Sequence, residues 1–212
     1  MKKDKRLKLL EVIKQHVGNN KKEYIVIFLI FIIGIFLGVL FINYVQEGKK
    51  IEITEYFNSF IEKMKNTQDL DQMALLKSSM GQNIVLAIIL WFFGTTVIGI
   101  PVVFGMVLYR GFCLGYTIAV CITIMGLPKG FLLVLMLLFL QNILWIPAVL
   151  ALAVSGFKLY KSIVKDRKKE NIKIEVIRHT IFSIIMLLIL LLSSVIEVFL
   201  SDGLMKGFIK YF

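Results

Sequence analysis

From Asn83 to Gly130 the chain reads NIVLAIILWFFGTTVIGIPVVFGMVLYRGFCLGYTIAVCITIMGLPKG, an almost wholly apolar stretch interrupted by Tyr109-Arg110-Gly111. It reads as two hydrophobic spans, 83–108 and 111–127, joined by a tight, singly charged, glycine-rich hairpin. Small residues form a stripe on each. Asn83, Ala87, Gly94, Pro101 and Gly105 recur at intervals that keep them on one side of a helix, and Gly111, Gly115, Ala119 and Thr123 recur every fourth residue. Inside a bilayer such stripes let backbones approach, and packing and interhelical hydrogen bonds hold the helices together there. The hairpin is the expected packing centre of a membrane bundle.

Composition agrees. Of 212 residues 58% are hydrophobic and 18% charged, more apolar surface than a soluble core can hide. The net charge of +11 does not point to nucleic acid, because the basic residues fall in two blocks beside apolar spans. That is the pattern of cytoplasmic retention. Cys113 and Cys121 sit in one predicted span, too far apart along a helix to bridge, and read as packing residues. The first apolar run is about twenty residues long and lacks a small-x-small exit, so it is expected to remain as a span.

Five spans follow. Residues 1–23 hold eight Lys or Arg against three acids and form a basic cytoplasmic segment, either an amphipathic helix on anionic lipid or a tail. The first span, 24–45, carries Gly34-Ile-Phe-Leu-Gly38, a GxxxG that serves either a homodimer or packing within the bundle. Residues 46–80, with six acids and five lysines, lack a basic bias and belong outside the cytoplasm. There Thr54 can cap a helix whose Ile53, Phe57, Phe60, Ile61 and Met64 share one side, and a second short helix is expected through Leu70, Met73 and Ala74. These apolar faces lie on the membrane or on each other, or else dock an extracytoplasmic partner.

The core, 81–156, holds spans two to four. Pro101 is expected to kink the second, and the third is short for a full crossing. Arg110 is expected to snorkel from the hairpin tip rather than lie at the bilayer centre. Leu127-Pro128-Lys129-Gly130 reads as a turn. In the fourth span Pro147 breaks the ladder, while Gln141 and Asn142 either hydrogen-bond between helices or line a polar cavity. Residues 157–180, with eight Lys or Arg and three acids, form the second basic cytoplasmic loop. The fifth span, 181–200, is interrupted late by Ser193, Ser194 and Glu197, the last an interfacial carboxylate rather than a proton relay, and 201–212 form an extracytoplasmic tail.

No catalytic, cofactor or metal constellation is legible. His16 and His179 lie in the basic segments without ligand spacing, and HExxH, GxSxG and a phosphate-cradling glycine loop are absent. An enzyme is not expected. A transporter or channel subunit, with Gln141, Asn142, Thr95 and Thr96 lining a path, is the alternative, although five spans give no even inverted repeat.

The run GTTVIGIPVVFGMVLYRGFCLGYT at 94–117, Asn83 before it, the glycine-bearing turn at 126–130 and LQNILWIPA at 140–148 resemble the stage II sporulation protein M family, integral membrane proteins of endospore-forming bacteria. The resemblance extends to length, to the extracytoplasmic segment after the first span and to the basic segment before the last. It implies a role at the sporulation septum, in engulfment of the forespore by the mother-cell membrane. It further implies partnership with a peptidoglycan amidase-endopeptidase (stage II sporulation protein P) and a lytic transglycosylase (stage II sporulation protein D). The expected function is therefore a non-catalytic scaffold that localises wall-degrading enzymes, with Ile53, Phe57, Phe60 and Met64 as the partner-binding face. A homodimer is compatible with the small-residue stripes.

Overall fold

The chain folds into helices, with no strand among the described residues; the computed structural model describes residues 17–66, 71–135, 140–165 and 172–209. We label the helices α1 (Lys21–Tyr44), α2 (Glu47–Asn66), α3 (Gln72–Gly94), α4 (Ile100–Met125), α5 (Leu127–Val134), α6 (Leu140–Lys165) and α7 (Ile172–Ile209). Five of these, α1, α3, α4, α6 and α7, are long and apolar enough to cross a membrane. The basic segment predicted over the first sixteen residues lies outside the described residues, as does Leu70.

The hairpin between the second and third spans is displaced from its predicted place. Tyr109, Arg110 and Gly111 lie inside α4, and the chain reverses at Thr95–Gly99 instead. Nothing at 109–111 breaks a helix, since Tyr and Arg are tolerated in helices and a bilayer glycine serves close approach as readily as a turn. At the true reversal, the hydroxyls of Thr95 and Thr96 donate to the carbonyls of Phe92 and Phe93 at 2.6 and 3.1 Å, closing the end of α3. Pro101 then stands in the first turn of α4, where its missing N–H costs nothing, so it starts a helix rather than kinking one. The third span gains length accordingly: 26 residues reach about 39 Å, enough for a hydrocarbon core of about 30 Å.

Other boundaries move for equally local reasons. Asp71 caps α3, accepting from the N–H groups of Met73 and Ala74 at 3.1 and 3.0 Å, so the short helix predicted there is the first turn of the second span. Thr54 sits in the middle of α2 with its hydroxyl on the Lys50 carbonyl at 2.8 Å, and does not cap it. The turn after α4 is made by Gly126 alone, at φ +78°, with Leu127 and Pro128 opening α5. The basic stretch 157–180 is no simple loop: α6 runs on to Lys165 and α7 starts at Ile172. Helix α7 passes unbroken through Ser193 and Ser194, both fully buried.

Because α1, α3 and α7 are apolar all round, hydrophobicity alone cannot choose which side faces inward. Small and polar residues choose. The most extensive contact joins α1 and α4, which run parallel with Gly34 and Gly38 set into Gly111 and Gly115. A β-carbon on Gly38 would come within 2.6 Å of the Tyr116 amide, and one on Gly115 within 2.8 Å of the Ile35 backbone. The GxxxG of α1 is thus engaged inside the chain. Helices α3 and α6 also run parallel, with Asn83 opposite Trp145 and Gly94 opposite Gly156. Helix α7 lies antiparallel against both. Between them Phe31, Leu86, Leu90, Val107, Leu152 and Leu190 form the buried core, while Phe36, Ile88 and Leu188 point outward as a lipid-facing belt.

Candidate functional site

Polar side chains gather at three levels of the bundle. At the middle level, the indole N–H of Trp145 donates to Asn83 Oδ1 at 2.8 Å, and the Asn83 amide donates to Ser194 Oγ at 2.7 Å and to the Leu190 carbonyl at 3.2 Å. One buried amide therefore ties α3, α6 and α7 together. Beside it, the Arg110 guanidinium lies 5.2 Å from the centre of the Trp145 ring, and Arg110 Nε is buried with no hydrogen-bond partner. A charge at this depth costs about 2.5–3.5 kcal/mol on insertion scales. The expected snorkelling from a hairpin tip is thus corrected, because the tip lies elsewhere.

At one end of the bundle, His179 and Ser155 are both buried, with Ser155 Oγ 2.8 Å from His179 Nδ1 and His179 Nε2 3.4 Å from the Trp91 carbonyl. The neutral ring satisfies both contacts when Nε2 carries the proton and Nδ1 accepts from the serine. The helices close over this pair where Gly94 meets Gly156: a β-carbon on Gly94 would lie 3.0 Å from Nε2. Sequence reasoning placed His179 outside the spans; the clue was its position beside Thr180 and Ser183, which bond to Trp91 and to the His179 carbonyl. At the same end Lys161 pairs with Glu23 at 2.7 Å, so the last residue of the first basic block meets the start of the second. With Lys161 39% exposed, replacing it by Met should cost under about 1 kcal/mol of stability in a denaturation series, and a larger loss would mark the pair as structural.

Toward the opposite end, Ser79 donates to Glu197 across α3 and α7, making Glu197 a paired carboxylate one turn beyond the Asn83–Ser194 contact. There α2 caps the bundle. Its Ile53 and Phe57 pack on Ile42, Ala119 and Val120, and Phe57 and Ile61 pack on Cys121 and Leu133 of α4 and α5. The face expected to hold a partner is therefore occupied by the chain itself, at least through Ile53 and Phe57. The side chains of Phe60 and Met64 lie outside the described residues. Exposed instead are Ile51, Glu52, Glu55 and Tyr56, beside a shallow cleft of about 340 Å³ lined by Glu47, Lys50, Ile51, Thr54 and Glu55.

The remaining predicted residues separate cleanly. Asn83, Gly94, Gly111 and Gly115 are buried at helix crossings, whereas Pro101, Gly105 and Pro147 are exposed, and nothing lies within 4 Å of a β-carbon on Gly105. Asn142 is half-buried and has a partner within the structure; the Gln141 side chain lies outside the described residues. Thr95 and Thr96 are spent on the end of α3. No group of three or more His, Cys, Asp or Glu capable of holding a metal occurs among the described residues. Trp145, and the inward placement of Arg110 beside it, are what sequence reasoning missed, and part of the signal was present: a tryptophan one turn after Gln141-Asn142.

No curated protein and no solved structure matches the chain. Residues 27–202 match the family described as Stage II sporulation protein M, a match that begins in α1, ends in α7 and takes in the glycine seam and the Asn83 network. The chain belongs to the stage II sporulation protein M family.

Proposed function

We propose that this protein is a non-catalytic membrane scaffold that anchors and localises peptidoglycan-degrading enzymes, of the kind represented by stage II sporulation proteins P and D, at the septal and engulfing membrane. The observation that carries the reading is α2. A helix packed on the bundle through Ile53, Phe57 and Ile61 presents its other side, Ile51, Glu52, Glu55 and Tyr56, outward. The meeting of both lysine-rich blocks at the far end supports placing that end in the cytoplasm, which leaves α2 on the wall side. Family membership supplies the sporulation setting.

The test uses a sporulating host lacking its own copy and complemented with this chain, with fluorescently tagged wall enzymes followed at the septum. The double substitution Ile51→Ser and Tyr56→Ser should disperse the enzymes while the protein stays in the membrane. Phe57→Ser should act differently. It undocks α2 by removing a half-buried aromatic, worth about 1–2 kcal/mol, and should expose α2 to protease in spheroplasts. Enzymes that stay at the septum in the complete absence of this chain would rule out the scaffold. No observation favours the channel reading, since the hydroxyls of Thr95 and Thr96 serve helix ends.

A further inference from the structure

The ammonium of Lys161 is positioned from three helices. Its Nζ lies 2.7 Å from Glu23 Oε1 of α1 and 4.9 Å from the centre of the Phe157 ring, so a carboxylate and an aromatic face hold it together. Phe157 is itself fixed, edge-on to Phe104 of α4 with ring centres 5.2 Å apart and stacked on Tyr160 at 6.2 Å. Yet the group stays open: the Lys161 side chain is 39% exposed, against 15% for Glu23. An ammonium has three N–H donors, and one carboxylate oxygen and one ring engage two of them. A third is left for a group outside the chain.

Depth and charge identify that group. Glu23 is the last charged residue before the apolar run of α1, and Tyr24 and Tyr160 are half-buried aromatics, the kind that mark the boundary between hydrocarbon and headgroups. Beside them Ile25 of α1 and Val164, which shares a side of α6 with Phe157 and Tyr160, are exposed. The ammonium thus stands at the rim of an open apolar flank. Glu23 is also the only acid in α1, α4 or α6, while Lys21, Lys22 and Lys158 lie within one turn of the pair along their helices, which makes four positive charges to one negative. A phosphate esterified to apolar chains resides at this depth of a bilayer and meets such a flank. Its oxygens accept from an ammonium, and a lysine-rich rim draws acidic headgroups over zwitterionic ones, which bring a positive charge of their own. We infer that this corner between α1 and α6 is a binding site for an acidic phospholipid of the adjoining leaflet, with Lys161 donating to the phosphate and the chains lying along Phe157, Tyr160 and Val164. Lys22 and Lys158 add the charge that selects an acidic headgroup.

The test uses the full chain in neutral detergent, with phosphatidylglycerol and phosphatidylcholine of identical acyl chains competing for it and the retained lipid counted by native mass spectrometry. Phosphatidylglycerol should be held about tenfold more tightly, the size of one charge-assisted hydrogen bond. Lys161→Met should cut that preference about fivefold, one lysine's share at a membrane surface, and Lys161→Arg should keep it. Lys49→Met, on α2 at the other end of the bundle, removes the same charge from the protein and should change nothing. The gain in melting temperature on adding phosphatidylglycerol should follow the same order, as expected of a ligand that binds the folded chain. Equal retention of the two lipids would overturn the inference, as would a preference that survives Lys161→Met or falls as far in Lys49→Met. Inorganic phosphate that displaces the lipid would assign the corner to a free anion, and a polyglutamate peptide that does so would assign it to an acidic protein segment; either overturns it. Neither α2's outward face nor a wall enzyme takes part in the assay, so its failure leaves the scaffold reading untouched.

Discussion

Gly115→Leu is expected to abolish the folded bundle, whereas Gly105→Leu, ten residues earlier on the same helix, is expected to leave it unchanged. At Gly115 a β-carbon would come within 2.8 Å of the Ile35 backbone, and at Gly34, Gly38 and Gly111 likewise the obstruction is main chain of the facing helix. Backbone cannot rotate aside as a side chain can. Overpacking a fitted site costs about 1–3 kcal/mol, and more where relief requires the helices to separate. Here separation forfeits the α1–α4 contact along its length, including Phe31 and Val107 of the core. Nothing lies within 4 Å of a β-carbon on Gly105. Monodispersity in detergent and melting temperature of the two variants decide the matter; equal stability would show that the glycine seam does not hold the fold.

Asn83→Leu is the second large effect. It fills the space with an apolar side chain but strands the Trp145 indole N–H, and it takes from Ser194 and Leu190 the donor they receive. A single interhelical hydrogen bond in a membrane protein averages about 0.6 kcal/mol. An orphaned buried group costs about 1–3 kcal/mol, and because one amide serves three partners on two other helices we expect a loss of about 2 kcal/mol. Adding Trp145→Phe removes the stranded donor, so the double variant should be less destabilised than the sum of the two single changes. Strict additivity in a reversible unfolding series would show that the bond contributes nothing.

What was legible in the sequence follows from what bilayers select for. Five apolar spans were readable because length and hydropathy decide crossing. The glycines at 34, 38, 111 and 115 were readable as close-approach positions, although not which helix each would meet, since pairing depends on register across distant segments. The hairpin was misplaced because an arginine beside a glycine looks like a surface turn. The alternative signal, Thr-Thr followed by Gly-Ile-Pro, carried the mechanism: hydroxyls to close one helix and a proline to open the next. Helix α2 was legible from its apolar face, but not where that face packs, since Ile42, Cys121 and Leu133 lie on distant segments of the chain. The Ser155–His179 contact was hidden because the boundary of the second basic block at 180 left His179 outside the fifth span.

The order of elements has a consequence for how the chain closes on itself. The spans α1 and α3 are separated by α2, of 20 residues, and α4 and α6 by α5, of 8, and each parallel pair joins one group to the other: α1 with α4, α3 with α6. Parallel neighbours in a bilayer cannot be joined by a short turn, so the chain must cross back between α1 and α4 and again between α3 and α6 before each pair can close. The glycine seam and the meeting of Gly94 with Gly156 both join one group to the other. Both crossings are thus long-range closures, and α7, antiparallel to α3 and α6, binds that second pair from its other side.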